Sequence, residues 1–292
     1  MSIAPPTPRT FFIAEVSSNH HRDLDRCRAF IEAAHKSGCA AVKFQLFKVD
    51  ELFAPEALAA HAHLRNRTEW ELPVVFLPDL AETAHSLGLQ FSCTPFYLDA
   101  VKELEPYVDF YKIASYELMW DDLLHACAKT EKPVFLSTGM ADMAEITHAV
   151  EVLRDAGCEA LTLLHCISGY PTPPREANLA AIETLRQAFK CPVGLSDHTV
   201  SPGVIGRAVH RWGAETVEFH LDLEGKGAEY ETGHCWLPDQ IAAVIESVNA
   251  GLSADGSGEK TVSPVEAADR DWRADPSDGL RPLKHIRKSL DG

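Results

Sequence analysis

About eight times along this 292-residue chain, a short apolar run gives way to a stretch with helical spacing of its apolar residues. Strand-like runs fall at Phe11–Val16, Ala40–Phe44, Gln90–Cys93, Val108–Ile113, Pro133–Leu136, Ala160–Leu164, Pro192–Ser196 and Thr216–Phe219. Between them, helical periodicity covers Leu24–Lys36, Asp79–Leu87, Leu98–Leu104, Trp120–Lys129, Ala144–Ala156, Asn178–Phe189 and Gly203–Trp212, with Pro238–Leu252 last. Runs apolar on both faces belong to a parallel sheet covered on both sides. The fold expected is therefore α/β, a single (β/α)8 TIM barrel. A doubly wound open sheet is the alternative, but no GxGxxG follows the first strand and no P-loop is present. Residues 48–77 interrupt the rhythm with a long polar segment, read equally well as an active-site cover or a surface insertion. The barrel is expected over residues 1–258, ending in a Gly/Ser-rich break at 251–258. Residues 259–292 would be a C-terminal tail packing on it.

Composition narrows the partners. The formal net charge of −16 argues against a nucleic-acid or anionic-membrane surface. No apolar run is long enough for a membrane span or signal peptide. The eight cysteines form no CxxC pair and read as reduced thiols of a cytoplasmic protein.

A barrel of this kind carries its chemistry at the carboxyl ends of the strands. Reading only those ends gives Glu15, Asn19, His20, Lys43, Gln45, Thr94, Lys112, Ser115, Ser137, Thr138, His165, Ser168, Tyr170, Ser196, His198, Glu218 and His220. Two lysines among hydroxyls suit a phosphate group, since ammoniums neutralise it and hydroxyls donate to its oxygens. A Schiff-base lysine at Lys43 or Lys112, as in class I aldolases, is the competing reading. His198 and His220 end consecutive strands roughly 4.8 Å apart, so they can converge on one ion or one substrate atom. Asp197 or Glu218 could orient their rings.

The ordered runs FIAEVSSNHH (12–21), AVKFQLF (41–47), FSCTPF (91–96), YKIASYEL (111–118), PVFLSTGMA (133–141), LLHCISGYPTP (163–173), PVGLSDHT (192–199) and VEFHLDLE (217–224) resemble the sialic acid synthase family. That family includes the N-acetylneuraminate, legionaminate and pseudaminate synthases. The resemblance implies a metal-dependent transferase that condenses phosphoenolpyruvate with an N-acyl aldose, such as N-acetylmannosamine, to a nonulosonic acid and phosphate. It implies His198 and His220 as ligands of a divalent metal, usually manganese, with Mg2+ or Co2+ as alternatives. Lys43, Thr94, Lys112, Ser115, Ser137, Ser168, Tyr170 and Ser196 match positions that bind phosphoenolpyruvate, and Glu15 and Glu218 lie near the reacting centre. Asn19, Gln45 and His234 are candidates for sugar contacts. A homodimer is expected by the same analogy.

Three departures qualify the match. The antifreeze-like domain that usually follows the barrel, and its sugar-binding arginine, have no counterpart in this sequence. The family's Gly-Pro-Asp-His is replaced by Glu231-Thr232-Gly233-His234, with Gly233 at the aspartate position. Phe219 replaces a lysine after Glu218. The expectation is the same chemistry on a different or less selective acceptor. A separate lid protein, Arg65 and Arg67 of the 48–77 segment, or Arg270, Trp272, Arg273 and Arg281 of the tail would replace the missing cover. A silent paralogue that binds a sugar phosphate is the non-enzymatic rival.

Overall fold

The computed structural model describes residues 10–290. Eight parallel strands are ordered β3-β2-β1-β8-β7-β6-β5-β4, from β1 (Phe11–Glu15), β2 (Ala41–Leu46), β3 (Gln90–Pro95) and β4 (Tyr111–Ile113) to β5 (Val134–Ser137), β6 (Leu161–Cys166), β7 (Val193–Asp197) and β8 (Thr216–Leu221). A parallel bridge between Ser92 and Phe110 joins β3 to β4 and closes the ring. Helices connect successive strands, as the alternation requires. A two-residue strand that the periodicity missed, β9 (Cys235–Trp236), pairs with β8 and brings His220 level with Cys235.

The period-two geometry of strands sorts the side chains into two populations. Outward positions such as Phe12, Val42, Phe91, Tyr111, Leu136 and Phe219 form one large core with the helices. Phe219 thus replaces the family's lysine at a position buried under helices. Inward positions are layered. Phe11, Phe110 and Phe135 make an aromatic floor with Ile13 and Ala41, their ring centroids 4.6–6.1 Å apart. Two residues further along β1, β2 and β4 the layer changes to Glu15, Lys43 and Lys112. Register holds it level: Glu15 is opposite Lys43 on one side and His220 on the other, and Ser196 is opposite Glu218.

The 48–77 segment is not an open loop. It folds as helical turns at Val49–Leu52, Pro55–Ala60, Ala62–Trp70 and Val74–Phe76. Phe47, Val49 and Leu58 give it a small core of its own, packed with Leu52, Phe53, Leu64 and Phe96. The Gly/Ser-rich break is likewise shorter than expected, because the helix Pro238–Ala254 runs through Gly251. The first compact unit ends at Leu252 and a second begins at Ser253, six residues before the expected boundary. In that second unit Asp275 accepts from Ser277 N, Ser277 Oγ and Lys284 N at 2.5–2.9 Å, fixing the start of the helix Lys284–Leu290.

Candidate active site

Glu15, Lys43, Lys112 and Glu218 are buried at the barrel mouth. Lys43 pairs with Glu15 and lies 3.9 Å from Glu218 Oε2, while Lys112 Nζ is 3.1 Å from Glu218 Oε1. Lys43 also donates to Thr94 Oγ1 at 3.0 Å, and Ser196 Oγ donates to Glu218 Oε1 at 3.2 Å. Gln45 Nε2 and the Ser17 amide donate to Glu15 Oε1 at 2.9 and 2.8 Å. Burial alone would lower Lys43, but Glu15 and Glu218 outweigh it and hold the ammonium above its ordinary pKa. Burial would likewise raise Glu218, and the two lysines override it, keeping the carboxylate ionised well below the usual range. A lysine locked as an ammonium is a poor imine nucleophile.

Beside Lys112 the backbone opens a polar cradle. Ser115 Oγ accepts from Gly139 N at 3.0 Å. A Cβ at Gly139 would overlap Ser168 Oγ and stand 2.9 Å from Ser115 Oγ and 3.2 Å from Cys166 Sγ, so only glycine leaves this space open. Ser137 Oγ is buried without a hydrogen-bond partner, a donor unused by the protein itself. An ammonium and hydroxyls around one gap are groups able to meet an oxyanion.

Next to this cradle, across Cys166, whose Sγ lies 4.0 Å from Ser168 Oγ and 3.9 Å from His198 Nδ1, His198, His220 and His234 surround Tyr170. The Tyr170 ring is 4.2 Å from His198 and 5.1 Å from His234, and His220 is 5.3 Å from His198 and 4.9 Å from His234. Burial lowers His198 and His234 below the ordinary histidine value, leaving neutral imidazoles that can ligate a metal. His198 Nδ1 lies 3.0 Å from the Ile167 carbonyl, which fixes the proton there and frees Nε2.

The carboxylate at the centre of this cluster is one that sequence comparison missed. Gly233 is a turn residue with φ +92°. The carboxylate among the histidines is Glu229, on the short helix Ala228–Glu231. Its Oε1 accepts from Ser17 Oγ at 2.6 Å and Ser18 Oγ at 2.8 Å, and its Oε2 lies 3.0 Å from His220 Nδ1 and 3.5 Å from His234 Nε2. Burial would raise Glu229, but the two histidines and Ser17 hold it far below the usual carboxylate range. His220, Glu229, His234 and Cys235 bring four ligating atoms within 4.8 Å of one another. Imidazole, carboxylate and thiol donors in one place suit a divalent transition metal.

Glu117 was also missed, although it lies inside a motif that was recognised. It is buried with Oε2 unpartnered, and burial pushes its carboxyl up to about 8 against the opposing pull of Lys112. Its signal in the sequence was position alone, two residues beyond Ser115 on a 3-10 turn.

These groups line one cavity of about 710 Å3, closed in part by Leu52, Phe53, Arg67 and Trp70 of the 48–77 segment. Arg67 lies 5.4 Å from both the Phe53 and Trp70 rings, whereas Arg65 is tied to Asp50 at 2.9 Å. Glu15, Lys43, Gln45, Thr94, Lys112, Ser115, Tyr170, Ser196, His198, Glu218, His220 and His234 face the cavity. Asn19, Ser137 and Ser168 do not line it. Asn19 Nδ2 donates to Leu221 O at 3.0 Å and to Cys235 Sγ at 3.8 Å, behind the histidines. His165 is turned away, its Nε2 2.8 Å from Ala177 O. Arg270, Trp272, Arg273 and Arg281 belong to the second unit.

A closed parallel barrel that gathers buried charged groups and imidazoles at the carboxyl ends of its strands has the architecture of a TIM-barrel enzyme. The profile of the NeuB family matches residues 30–260, and the chain belongs to that family. It is 36% identical to an uncharacterized protein of Methanocaldococcus jannaschii over 88% of this chain and 75% of that one. It is 33% identical to the N,N'-diacetyllegionaminic acid synthase of Legionella pneumophila, over 88% of this chain and 76% of the relative. Among solved structures, the N-acetylneuraminic acid synthetase of Leptospira borgpetersenii superimposes with a TM-score of 0.79 at 28% identity, covering 91% of this chain and 94% of that one. No helix among the described residues is long and apolar enough to cross a membrane.

Proposed function

We propose that this enzyme condenses phosphoenolpyruvate with an N-acyl aldose of the N-acetylmannosamine type, yielding a sialic-acid-type nonulosonic acid and phosphate. The observation that carries the reading is that one cavity is lined both by buried ammoniums, Lys43 and Lys112, and by imidazoles gathered around a carboxylate. The relatives named as synthases of legionaminic, pseudaminic and sialic acids support it.

Lys43 and Lys112 neutralise the carboxylate and phosphate of phosphoenolpyruvate, with Thr94, Ser115 and Ser196 donating to its oxygens, while Ser137 and Ser168 stand outside the cavity lining. Tyr170, Gln45, Glu229 and His234 belong to the acceptor side, with Asn19 behind them, bonded to Leu221 O. His198, His220 and His234 supply donors for a divalent cation, for which the family resemblance suggests manganese. These donors would hold it where it would supply Lewis-acid polarisation of the acceptor's carbonyl. The methylene carbon of the enol attacks the carbonyl carbon, and positive charge develops at the carbon bearing the phosphate oxygen. Glu218, kept ionised by two lysines, faces that charge and stabilises it, with Glu15 beside it. Glu117, which carries its proton near neutrality, gives it to the new alkoxide. As a carboxylate it then takes one from the water that adds to the cationic carbon. The tetrahedral intermediate breaks its carbon–oxygen bond, its hydroxyl proton passes to the departing phosphate, and a ketone remains at that carbon.

A homodimer, a partner covering the cavity and a cytoplasmic setting complete the proposal. It is tested by phosphate release from phosphoenolpyruvate against N-acetylmannosamine, its 6-phosphate, di-N-acetylated hexoses and plain aldoses, with divalent cation and with chelator. Cation-dependent release with an N-acyl aldose is expected. Silence across the panel in a protein that still binds phosphoenolpyruvate would instead support a binding protein.

A further inference from the structure

The side of the cavity formed by the 48–77 segment has a chemistry of its own. Of its residues that line the cavity, Leu52, Phe53 and Trp70 are apolar or aromatic, and Arg67 is the exception. Phe47 and Phe96 extend the same wall. They follow Gln45 and Thr94 by two residues, just past the ends of β2 and β3, and their rings meet edge to face 6.2 Å apart. Val49 and Leu58 pack with them. Two hydrogen bonds fix the wall in place, from Arg22 Nη1 to Thr68 O and from Val49 N to Glu71 Oε1, both at 2.7 Å. The Arg67 guanidinium stands 5.4 Å from the Phe53 and Trp70 ring centroids. Among the described residues no carboxylate forms an ion pair with it, whereas Arg65 is taken up by Asp50. A planar cation held between aromatic rings, with its donors uncommitted to any carboxylate, is available to a hydrogen-bond acceptor of the ligand.

We propose that this wall reads a second acyl group of the acceptor, carried at the end away from the reacting carbonyl, and that Arg67 donates to its oxygen. This rests on the synthase reading and narrows the acceptor to a di-N-acylated aldose. The ammoniums and Gln45 occupy the strand-end layer. Two residues along a strand are about 6–7 Å, so Phe47 and Phe96 stand one layer farther out and meet the part of the acceptor farthest from its carbonyl. An amide suits the wall on both counts: its methyl and its plane pack on the rings, and its carbonyl oxygen accepts from the guanidinium. A free hydroxyl chain would lay several donors against Phe47, Phe53 and Phe96 with no partner. A phosphate would meet one guanidinium among rings, where the inner part of the same cavity offers two ammoniums and hydroxyls.

The test titrates the full chain, in the presence of phosphoenolpyruvate, with alditols, which lack the reacting carbonyl and cannot condense. The probes are N-acetylmannosaminitol, its 6-phosphate and the alditol of a di-N-acetylated 6-deoxyhexose. By calorimetry the di-N-acetylated alditol is expected to bind at least about tenfold more tightly than N-acetylmannosaminitol. Arg67→Ala and Phe53→Ala should each cut that preference below about threefold while phosphoenolpyruvate affinity holds. Arg67→Gln, which keeps a neutral donor for a carbonyl oxygen, should retain more of the preference than Arg67→Ala. Circular dichroism melting checks each variant, and Phe53→Leu replaces Phe53→Ala if the latter unfolds. Equal affinity of the two unphosphorylated alditols for wild type would overturn the proposal, as would a chain that binds none of the three. Tightest binding of the 6-phosphate, lost alike in Arg67→Gln and Arg67→Ala, would overturn it too and make Arg67 an anion contact. Because the alditols cannot react, absence of phosphate release with the parent aldoses would count against the synthase reading alone and leave this readout intact.

Discussion

Replacing Lys43 by methionine keeps the length of the side chain and removes its charge. Lys43 is 1% exposed, between Glu15 at 1% and Glu218 at 2%, so neither carboxylate can turn to water. Breaking such a buried pair from one side costs about 3–5 kcal/mol, because the surviving charge is left uncompensated. Lys112 still holds Glu218, so most of that cost falls on Glu15. Urea unfolding of wild type, Lys43→Met, Glu15→Gln and the double variant measures the cycle. The double variant should recover about 2–3 kcal/mol relative to the sum of the singles. A Lys43→Met loss below about 1 kcal/mol, or strict additivity, would refute a buried charge layer as the basis of the site.

Three further outcomes follow from the same geometry. Borohydride added during turnover should leave Lys43 and Lys112 unmodified by intact-mass analysis; a reduced adduct at either would restore the aldolase reading. Gly139→Ala should fill the cradle between Ser115 and Ser168, raising KM for phosphoenolpyruvate at least about tenfold while acceptor KM holds. Unchanged phosphoenolpyruvate KM would remove the cradle from the site. Glu117, pushed up to about 8, holds a proton in the folded state that the unfolded chain has lost, so stability falls as pH rises toward that value. Wild type should lose about 2 kcal/mol between pH 6 and pH 8 that Glu117→Gln does not lose. Parallel denaturation curves for the two proteins would show the carboxyl to be ionised throughout.

The barrel was legible because its helices and strands have different periods, and nearly every one falls within a few residues of where periodicity sets it. What periodicity could not show was the inward layering. AVKFQL reads as an apolar run because its outward residues Val42, Phe44 and Leu46 are apolar, yet its inward residues Lys43 and Gln45 carry site chemistry. Strand ends therefore gave the lysines, serines and the His198 and His220 positions, which project from the end of the sheet by rule. Glu229 was not legible, because its place depends on a helical turn and a two-residue strand that bring residues 229, 234 and 235 back onto β8. The 48–77 segment was similarly opaque. Its turns are too short for a periodic signal, and its apolar residues bury mainly against one another.

The most direct test of the condensation uses phosphoenolpyruvate labelled with oxygen-18 in the bridge between carbon and phosphorus. The reaction is run with an N-acyl aldose acceptor, and the released phosphate is weighed by mass spectrometry. Carbon–oxygen cleavage predicts that the label leaves with phosphate while the sugar acid carries solvent oxygen at that carbon. Label retained in the organic product would mean phosphorus–oxygen cleavage, and would contradict the roles of Glu15, Glu117 and Glu218 at the cationic carbon.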